Sequence, residues 1–251
     1  MSVSIKSAKE IKLMREAGRL LGITHKKLEK AIRPGVSTYE IDKLGEEIIR
    51  SFGCTPNFLH YNGYPASVCI SINDEVVHGI PTKKRILQEG DIVSLDCGLI
   101  YKGYHSDAAR THAVGAVSIE AQKLMQVAEQ SFFEGIKFAK EGYHLNDISK
   151  AIGTYAESFG YGVVRDLVGH GIGTRLHEDP QIPNYPQKRR GLKLQAGMTF
   201  AIEPMINIGR CDVEWMDDDW TVVTEDGTLS SHYENTVLIT AGEPEILTLG
   251  R

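Results

Sequence analysis

The chain has 251 residues, 24% of them charged, and a formal net charge of −5. That length supplies a sizeable core in one or two domains, and the acidic balance excludes a broad electrostatic affinity for nucleic acid. The four cysteines, Cys54, Cys69, Cys97 and Cys211, form no C-x-x-C pair, which speaks against a zinc ribbon or a dithiol redox motif.

The first apolar periodicity, Ile11, Met14, Leu20 and Leu21 behind Ser7, predicts a helix over 7–32 that Pro34-Gly35 ends. Ser37-Thr38-Tyr39-Glu40 is a capping box and opens a second helix running to about Phe52. Short strands and turns follow over 61–115. Within them Asp91-Ile92-Val93-Ser94-Leu95 reads as a buried strand, and Lys102-Gly103 as a two-residue hairpin turn. That turn sets Tyr101 opposite Tyr104, Leu99 opposite Ser106 and Gly98 opposite Asp107. Asp96 shares a face with Gly98. Asp96 and Asp107 thereby become diagonal cross-strand neighbours, within roughly 7–8 Å at the backbone. Two like charges so close need a compensating partner. Two more helices are predicted over 118–140 and 146–159, after which strands and turns return. The class is α+β.

Helices, strands, helices, strands is an order that invites a search for a repeat. One stands at an offset of 107. Gly35, Ile41, Lys43, Ser51, Phe52 and Gly53 match Gly142, Ile148, Lys150, Ser158, Phe159 and Gly160. Leu87-Gln88 and Gly90 match Leu194-Gln195 and Gly197, and Asp96 falls on Glu203. His78-Gly79-Ile80 echoes His170-Gly171-Ile172 at a shorter offset of 92. The reading is one domain, 1–251, built from related halves over roughly 7–115 and 116–251. Their carboxylates meet at a pseudo-twofold centre, with Glu203 beside Asp96.

Acidic and histidine residues in apolar strand contexts are few. Glu203 sits in Phe200-Ala201-Ile202-Glu203-Pro204, Glu234 in Tyr233-Glu234-Asn235-Thr236-Val237, and His170 between glycines. Each alone has an ordinary reading: a turn aspartate, a glutamate paired to an arginine, a hydrogen-bonded core histidine. Asp96, Asp107, His170, Glu203 and Glu234 together make an oxygen-rich set with one imidazole. Such a set suits Mn, Fe or Co, with Zn as a further candidate. Four carboxylates neutralise two divalent ions, and a pair of ions clamps a hydrolytic transition state. His78 and His177 fit as non-ligands that polarise a carbonyl or transfer a proton. His60, His105 and His232 receive no assignment. Phe58, Tyr61, Tyr64 and Trp220 read by default as core aromatics.

These motifs, in this order, resemble the methionine aminopeptidases. The resemblance rests on Ser67-Val68-Cys69-Ile70-Ser71-Ile72-Asn73, Val77-His78-Gly79-Ile80-Pro81, Asp91 to Asp96, Ser106-Asp107-Ala108-Ala109-Arg110-Thr111, Gly169-His170-Gly171-Ile172-Gly173, Phe200 to Pro204 and Tyr233-Glu234-Asn235-Thr236. It covers nearly the whole chain. No large insertion precedes His170, as in type I members, and no Cys/His-rich extension is visible, as in the short bacterial form. The resemblance implies the pita-bread fold, two pseudo-twofold-related halves around a central antiparallel sheet. It implies that Asp107 and Glu234 bridge two metal ions, that Asp96 completes one site, and that His170 and Glu203 complete the other. Glu203 would accept the proton of the nucleophilic water. His177 would bind the scissile carbonyl, and His78 would assist the leaving amine. Phe58, Tyr61, Tyr64, Cys69, Leu176 and Trp220 would form the methionine pocket. The activity implied is removal of the initiator methionine from nascent chains whose second residue is small.

Alternatives within the fold are an X-Pro aminopeptidase or prolidase, and a non-catalytic binding module. The intact ligand set argues against the module and against metal-free, creatinase-like hydrolysis. No apolar run reaches a membrane span and no signal peptide is visible, so the expected location is the cytoplasm. Family members of this type are commonly monomeric. The basic loops Lys83-Lys84-Arg85 and Lys188-Arg189-Arg190 are either solvated turns or contacts to ribosomal RNA phosphates; no sequence-specific nucleic-acid binding is expected.

Overall fold

A computed structural model describes residues 3–250. Four helices carry the scaffold: α1 (Ala8–Glu29), α2 (Thr38–Ser51), α3 (Ile119–Ile136) and α4 (Leu145–Glu157). The capping box of α2 closes as the sequence predicts, and α1 has one as well. Ser7 Oγ accepts from the Glu10 amide while the Glu10 carboxylate accepts from the Ser7 amide, and Ser37 and Glu40 repeat the arrangement on α2. Helix α3 ends four residues before the expected 140. There the amides of Phe138 and Ala139 turn back to the carbonyls of Gly135 and Ile136, closing a tighter last turn.

The region after α2 holds longer strands than expected. Ile92–Tyr101 and Tyr104–Ala113 form a long hairpin whose register pairs Tyr101 with Tyr104, Leu99 with Ser106 and Gly98 with Asp107. The positive φ values of Lys102 (49°) and Gly103 (83°) are what a two-residue turn of the favoured twist requires. The short strand Val68–Ile72 pairs along the other edge of Ile92–Tyr101, placing Cys69 opposite Asp96.

The second half repeats this frame. Strand Thr199–Ile202 pairs with Asn235–Leu238, and Met205–Asn207 pairs with Ser230–His232. Between these two ladders the Tyr233 amide donates to the Pro204 carbonyl at 3.1 Å. The two short ladders are therefore one hairpin in continuous register, interrupted at Glu203-Pro204. Its first arm, 199–207, matches 92–100 at the offset of 107. Its second arm, 230–238, matches 105–113 at an offset of 125, because residues 208–229 replace the Lys102-Gly103 turn.

The scaffold obeys the same offset in detail. The Gly35 amide donates to the Leu87 carbonyl at 2.8 Å, and the Gly142 amide to the Leu194 carbonyl at 3.0 Å. A bridge joins Ser37 to Ile86, and another joins His144 to Lys193. Each hairpin buries one face against its own helix pair: Leu21, Leu28, Ile41 and Ile49 pack on Leu95 and Leu99, and Phe132, Ile148 and Ile152 pack on Phe200 and Val237. The strand pairs in both hairpins are antiparallel. The fold is α+β with pseudo-twofold halves, as the sequence led us to expect.

One element of the repeat needs correction. His170 lies in the strand Gly169–Gly171 and pairs with Ala201, the mate of Ser94 at the 107 offset. Ser94 pairs with Ser71. The register mate of His170 is thus Ser71, not His78, which sits beyond the strand Glu75–Val77 at a left-handed φ of 61°. The shared His-Gly-Ile reflects local sequence, while strand pairing decides which residues correspond.

Candidate active site

The second strands of the two hairpins run side by side and meet at the pseudo-twofold axis. The Glu234 amide donates to the Ala109 carbonyl at 2.9 Å. Thr236 Oγ1 accepts from the Asp107 amide at 2.9 Å and donates to the Asp107 carbonyl at 2.8 Å. Thr111 treats His232 in the same way, accepting from its amide at 3.0 Å and donating to its carbonyl at 2.9 Å. These threonine clamps fix the backbone from which the central side chains project.

A cavity of about 290 Å³ opens at this centre. Every residue expected as a metal ligand, a catalytic histidine or a part of the methionine pocket lines it: Asp96, Asp107, His170, Glu203 and Glu234, the histidines His78 and His177, and Phe58, Tyr61, Tyr64, Cys69, Leu176 and Trp220. The sequence reading missed Asn62, Val77, Leu167, Val168, Met205 and His232 on the same wall. For the apolar ones nothing in the sequence distinguishes a cavity lining from core. His232 carried a findable signal, a polar residue two before Glu234 on the same face of an apolar strand.

Asp107, His170 and Glu234 each offer a ligand atom within 4.8 Å of the others. Glu203 Oε1 stands 3.5 Å from His170 Nε2. The carboxyls of Asp96, Glu203 and Glu234 are all held well above their ordinary range, first by burial and then by the neighbouring acids; burial also raises Asp107, to about 8. Among the described residues, Asp96 Oδ1 and Glu234 Oε1 are buried without a hydrogen-bond partner. Unpaired buried carboxylate oxygens that repel one another are what a cation relieves. His170 Nδ1 lies 2.8 Å from the Gly171 carbonyl. Donation there leaves Nε2 as a lone pair facing the acids, the tautomer a metal ligand needs. Burial holds His170 neutral, with its pKa down to about 3. The donor set fits divalent metal ions.

Gly98 makes room for this crowding. A Cβ there would stand 2.9 Å from Asp107 Oδ1 and 2.2 Å from Asn57 Nδ2.

On one side of the carboxylates, Tyr64 is buried and edge-on to Trp220, with ring centroids 5.1 Å apart; Phe58, Cys69 and Leu176 belong to the same apolar cluster. Tyr64 Oη donates to the Gly79 carbonyl at 2.9 Å, so its polar end is satisfied and its ring is fixed. Tyr61 packs against the same cluster, and its Oη lies 2.8 Å from His177 Nδ1. If Tyr61 donates, His177 Nε2 keeps its proton for another acceptor. Burial lowers the pKa of His177 and brings His78 down to about 4, so both rings are neutral near pH 7.

Known proteins resemble this chain in sequence and fold. The model of metallopeptidase family M24 matches residues 12–241. The chain is 55% identical over 247 residues to the methionine aminopeptidase of Clostridium acetobutylicum, covering 98% of this chain and 99% of that one. The crystal structure of the methionine aminopeptidase from Rickettsia prowazekii superposes with a TM-score of 0.97 at 40% identity, over 99% of this chain and 100% of the other. An Xaa-Pro dipeptidase from Bacillus anthracis is more distant, with a TM-score of 0.77 at 25% identity over 97% of this chain and 61% of its own. The chain belongs to metallopeptidase family M24, on its methionine aminopeptidase branch.

Proposed function

We propose that this protein removes an N-terminal methionine from chains whose second residue is small, with divalent metal ions bound by Asp96, Asp107, His170, Glu203 and Glu234. The observation that carries the reading is one cavity in which five such donors adjoin an apolar, aromatic pocket. The donors come from both halves, so the catalytic unit spans the repeat. Ions bound there, two of them from among Mn, Fe, Co and Zn, supply Lewis acidity and a water made nucleophilic at neutral pH.

The side chains divide the remaining work. Glu203, partly open to the cavity, accepts the proton of the attacking water. His177 donates from Nε2 to the scissile oxygen as negative charge develops there. His78 faces the leaving nitrogen and helps it depart as an amine. Phe58, Tyr61, Tyr64, Cys69, Leu176 and Trp220 receive the methionine side chain, whose sulfur gains from aromatic contact. Asp96 lies near the substrate's free amine, so an acetylated N-terminus is rejected. The second residue passes between the carboxylates and His177, where bulk is excluded.

A peptide panel tests this reading. Metal-stripped protein is reloaded with Mn, Co, Fe or Zn in turn and offered Met-Ala, Met-Lys and Ala-Pro peptides. Cleavage of Met-Ala well above both others is expected. Norleucine or leucine in place of methionine is accepted weakly, since an apolar pocket discriminates by only about 1–3 kcal/mol per methylene. Equal rates on Met-Ala and Met-Lys, or faster cleavage of Ala-Pro, would overturn the assignment.

The same reading makes nascent chains the substrate and the cytoplasm the place of action. Lys83 and Lys84 are exposed, as are Lys188, Arg189 and Arg190, so both loops are free to meet phosphates. Ribosome co-sedimentation that neutralising these loops leaves unchanged would reduce them to solvated turns.

A further inference from the structure

His232 lines the cavity but has no part in the roles above. It is 1% exposed, and among the described residues neither Nδ1 nor Nε2 has a hydrogen-bond partner. Leaving both nitrogens of a buried imidazole idle costs free energy, so a partner is to be sought on the cavity side.

Its place in the fold is that of Asp107. The first hairpin sets Asp107 opposite Gly98; the second sets His232 opposite Met205, the mate of Gly98 at the 107 offset. The clamps agree. Asp107 is held through its amide and carbonyl by Thr236, and His232 through its amide and carbonyl by Thr111. The frame that aims Asp107 at the acids of the centre aims His232 there as well. The acid it meets is Glu203, the mate of Asp96: His232 Nε2 stands 3.7 Å from Glu203 Oε2. With His170 Nε2 at 3.5 Å from Oε1, an imidazole faces each oxygen of Glu203.

We propose that His232 is a positioning residue whose Nε2–H donates to Glu203 Oε2 and holds that carboxylate in the orientation from which it takes the water's proton. The pair must close by about half an ångström to reach the usual hydrogen-bond range, a movement open to a glutamate side chain beside a cavity. The neutral ring has one donor to give, and giving it to Glu203 leaves Nδ1 as the acceptor. Donors of this kind, behind a ligand or base, fix its angle and tune its basicity. The inference rests on the role proposed for Glu203.

The test compares His232→Leu, His232→Asn and His232→Gln in the full chain. The glutamine amide can still reach Glu203; the shorter asparagine amide cannot. Each variant is checked by thermal melting, titrated with Mn2+ after metal stripping, and assayed on a Met-Ala peptide. For Leu and Asn we expect kcat to fall about 10–100-fold with KM little changed, and Mn2+ affinity to weaken by about tenfold. Gln is expected to recover most of both. Wild-type kcat and Mn2+ affinity in the Leu variant would overturn the proposal. So would a Gln variant that melts like wild type yet is as impaired as Leu. Failure of the wild type on Met-Ala peptides would strike the function reading instead, and the Mn2+ titrations would still decide the case of His232.

Discussion

The two halves of the molecule share a frame and differ in what it carries. In the first, the hairpin closes through Lys102-Gly103; in the second, the same register opens into residues 208–229, which include the strands Val213–Trp215 and Val222–Thr224 and turn Trp220 toward Tyr64. Mated positions differ in chemistry. Asp96 has Glu203 as its mate, but Asp107 has His232 and Glu234 has Ala109. The backbone symmetry thus supplies a meeting point, and side-chain asymmetry there gives carboxyls, imidazoles and an apolar wall distinct places around one cavity. The excursion builds the part of the cavity wall that carries Trp220.

The largest effect should come from separating the mates Asp96 and Glu203. We expect Glu203→Gln to lower kcat by about 10²–10⁴, the usual contribution of a general base. Asp96→Asn should act chiefly through metal content, measured on the purified protein. Equal kcat losses at matched metal occupancy would show that the halves share the proton-transfer role. His177→Ala should follow, with kcat down by about 10²–10³ and KM less affected, because the bond proposed from it to the substrate oxygen would strengthen in the transition state. A loss confined to KM would assign His177 to ground-state binding.

Next come the carboxylates nearest the axis. Asp107→Ala and Glu234→Ala should each weaken Mn2+ binding more than His170→Ala, by at least about tenfold in calorimetric titration. The reverse ranking would mean that His170, and not the two carboxylates, anchors the metal.

How far this centre was legible in the sequence follows from the same geometry. The helices, their caps and the first hairpin were readable because their signals are local: a capping box, a two-residue turn, a period of two. The 107 offset was visible as far as Glu203, since the length changes between the matched helices and that strand cancel: His170 stands 99 residues from its mate Ser71, and the offset is 107 again by Leu194. Beyond it the excursion shifts the offset to 125, and few identities survive there, Thr111 with Thr236 and Ser106 with Ser231 among them. The equivalence of His232 and Asp107 therefore needed strand register. So did the separation of His170 from His78, which a shared tripeptide had joined.

Gly98 offers a finer probe. Its mate, Met205, carries a long side chain opposite His232, whereas a Cβ at Gly98 collides with the Asn57 amide and crowds Asp107. Gly98→Ala is expected to cost about 1–3 kcal/mol in denaturant unfolding, and to weaken metal binding by displacing Asp107. Met205→Leu, close in volume, should cost less than about 1.5 kcal/mol. A harmless Gly98→Ala would mean that Asp107 has slack that the register does not suggest.

The smallest effect concerns a tie between the halves. Lys6, ahead of α1, reaches Glu178 in the second half: Nζ stands 2.7 Å from Oε2, and both side chains are largely buried. The Lys6 amide also donates to the Gly197 carbonyl at 2.8 Å. Burial pushes the Glu178 carboxyl up, but hydrogen bonds from Lys6 and Ser4 outweigh it and bring the pKa down to about 2 from an ordinary 4.5. A carboxyl that titrates lower in the folded chain is protonated first in the unfolded one. The stability it confers is complete above the unfolded pKa and is lost as pH falls from about 4.5 through about 2. Lys6→Met removes the cation and keeps the apolar stem, leaving Glu178 charged and poorly paired at pH 7. We expect its Tm to lie below wild type at pH 7, by about 2–4 °C for each kcal/mol lost in a chain of this size. The gap should narrow steadily below pH 4.5 and close only below pH 2, where Glu178 becomes neutral in both proteins. A gap that stayed constant across that range would show that the lysine stem, not its charge, fastens the first half to the second.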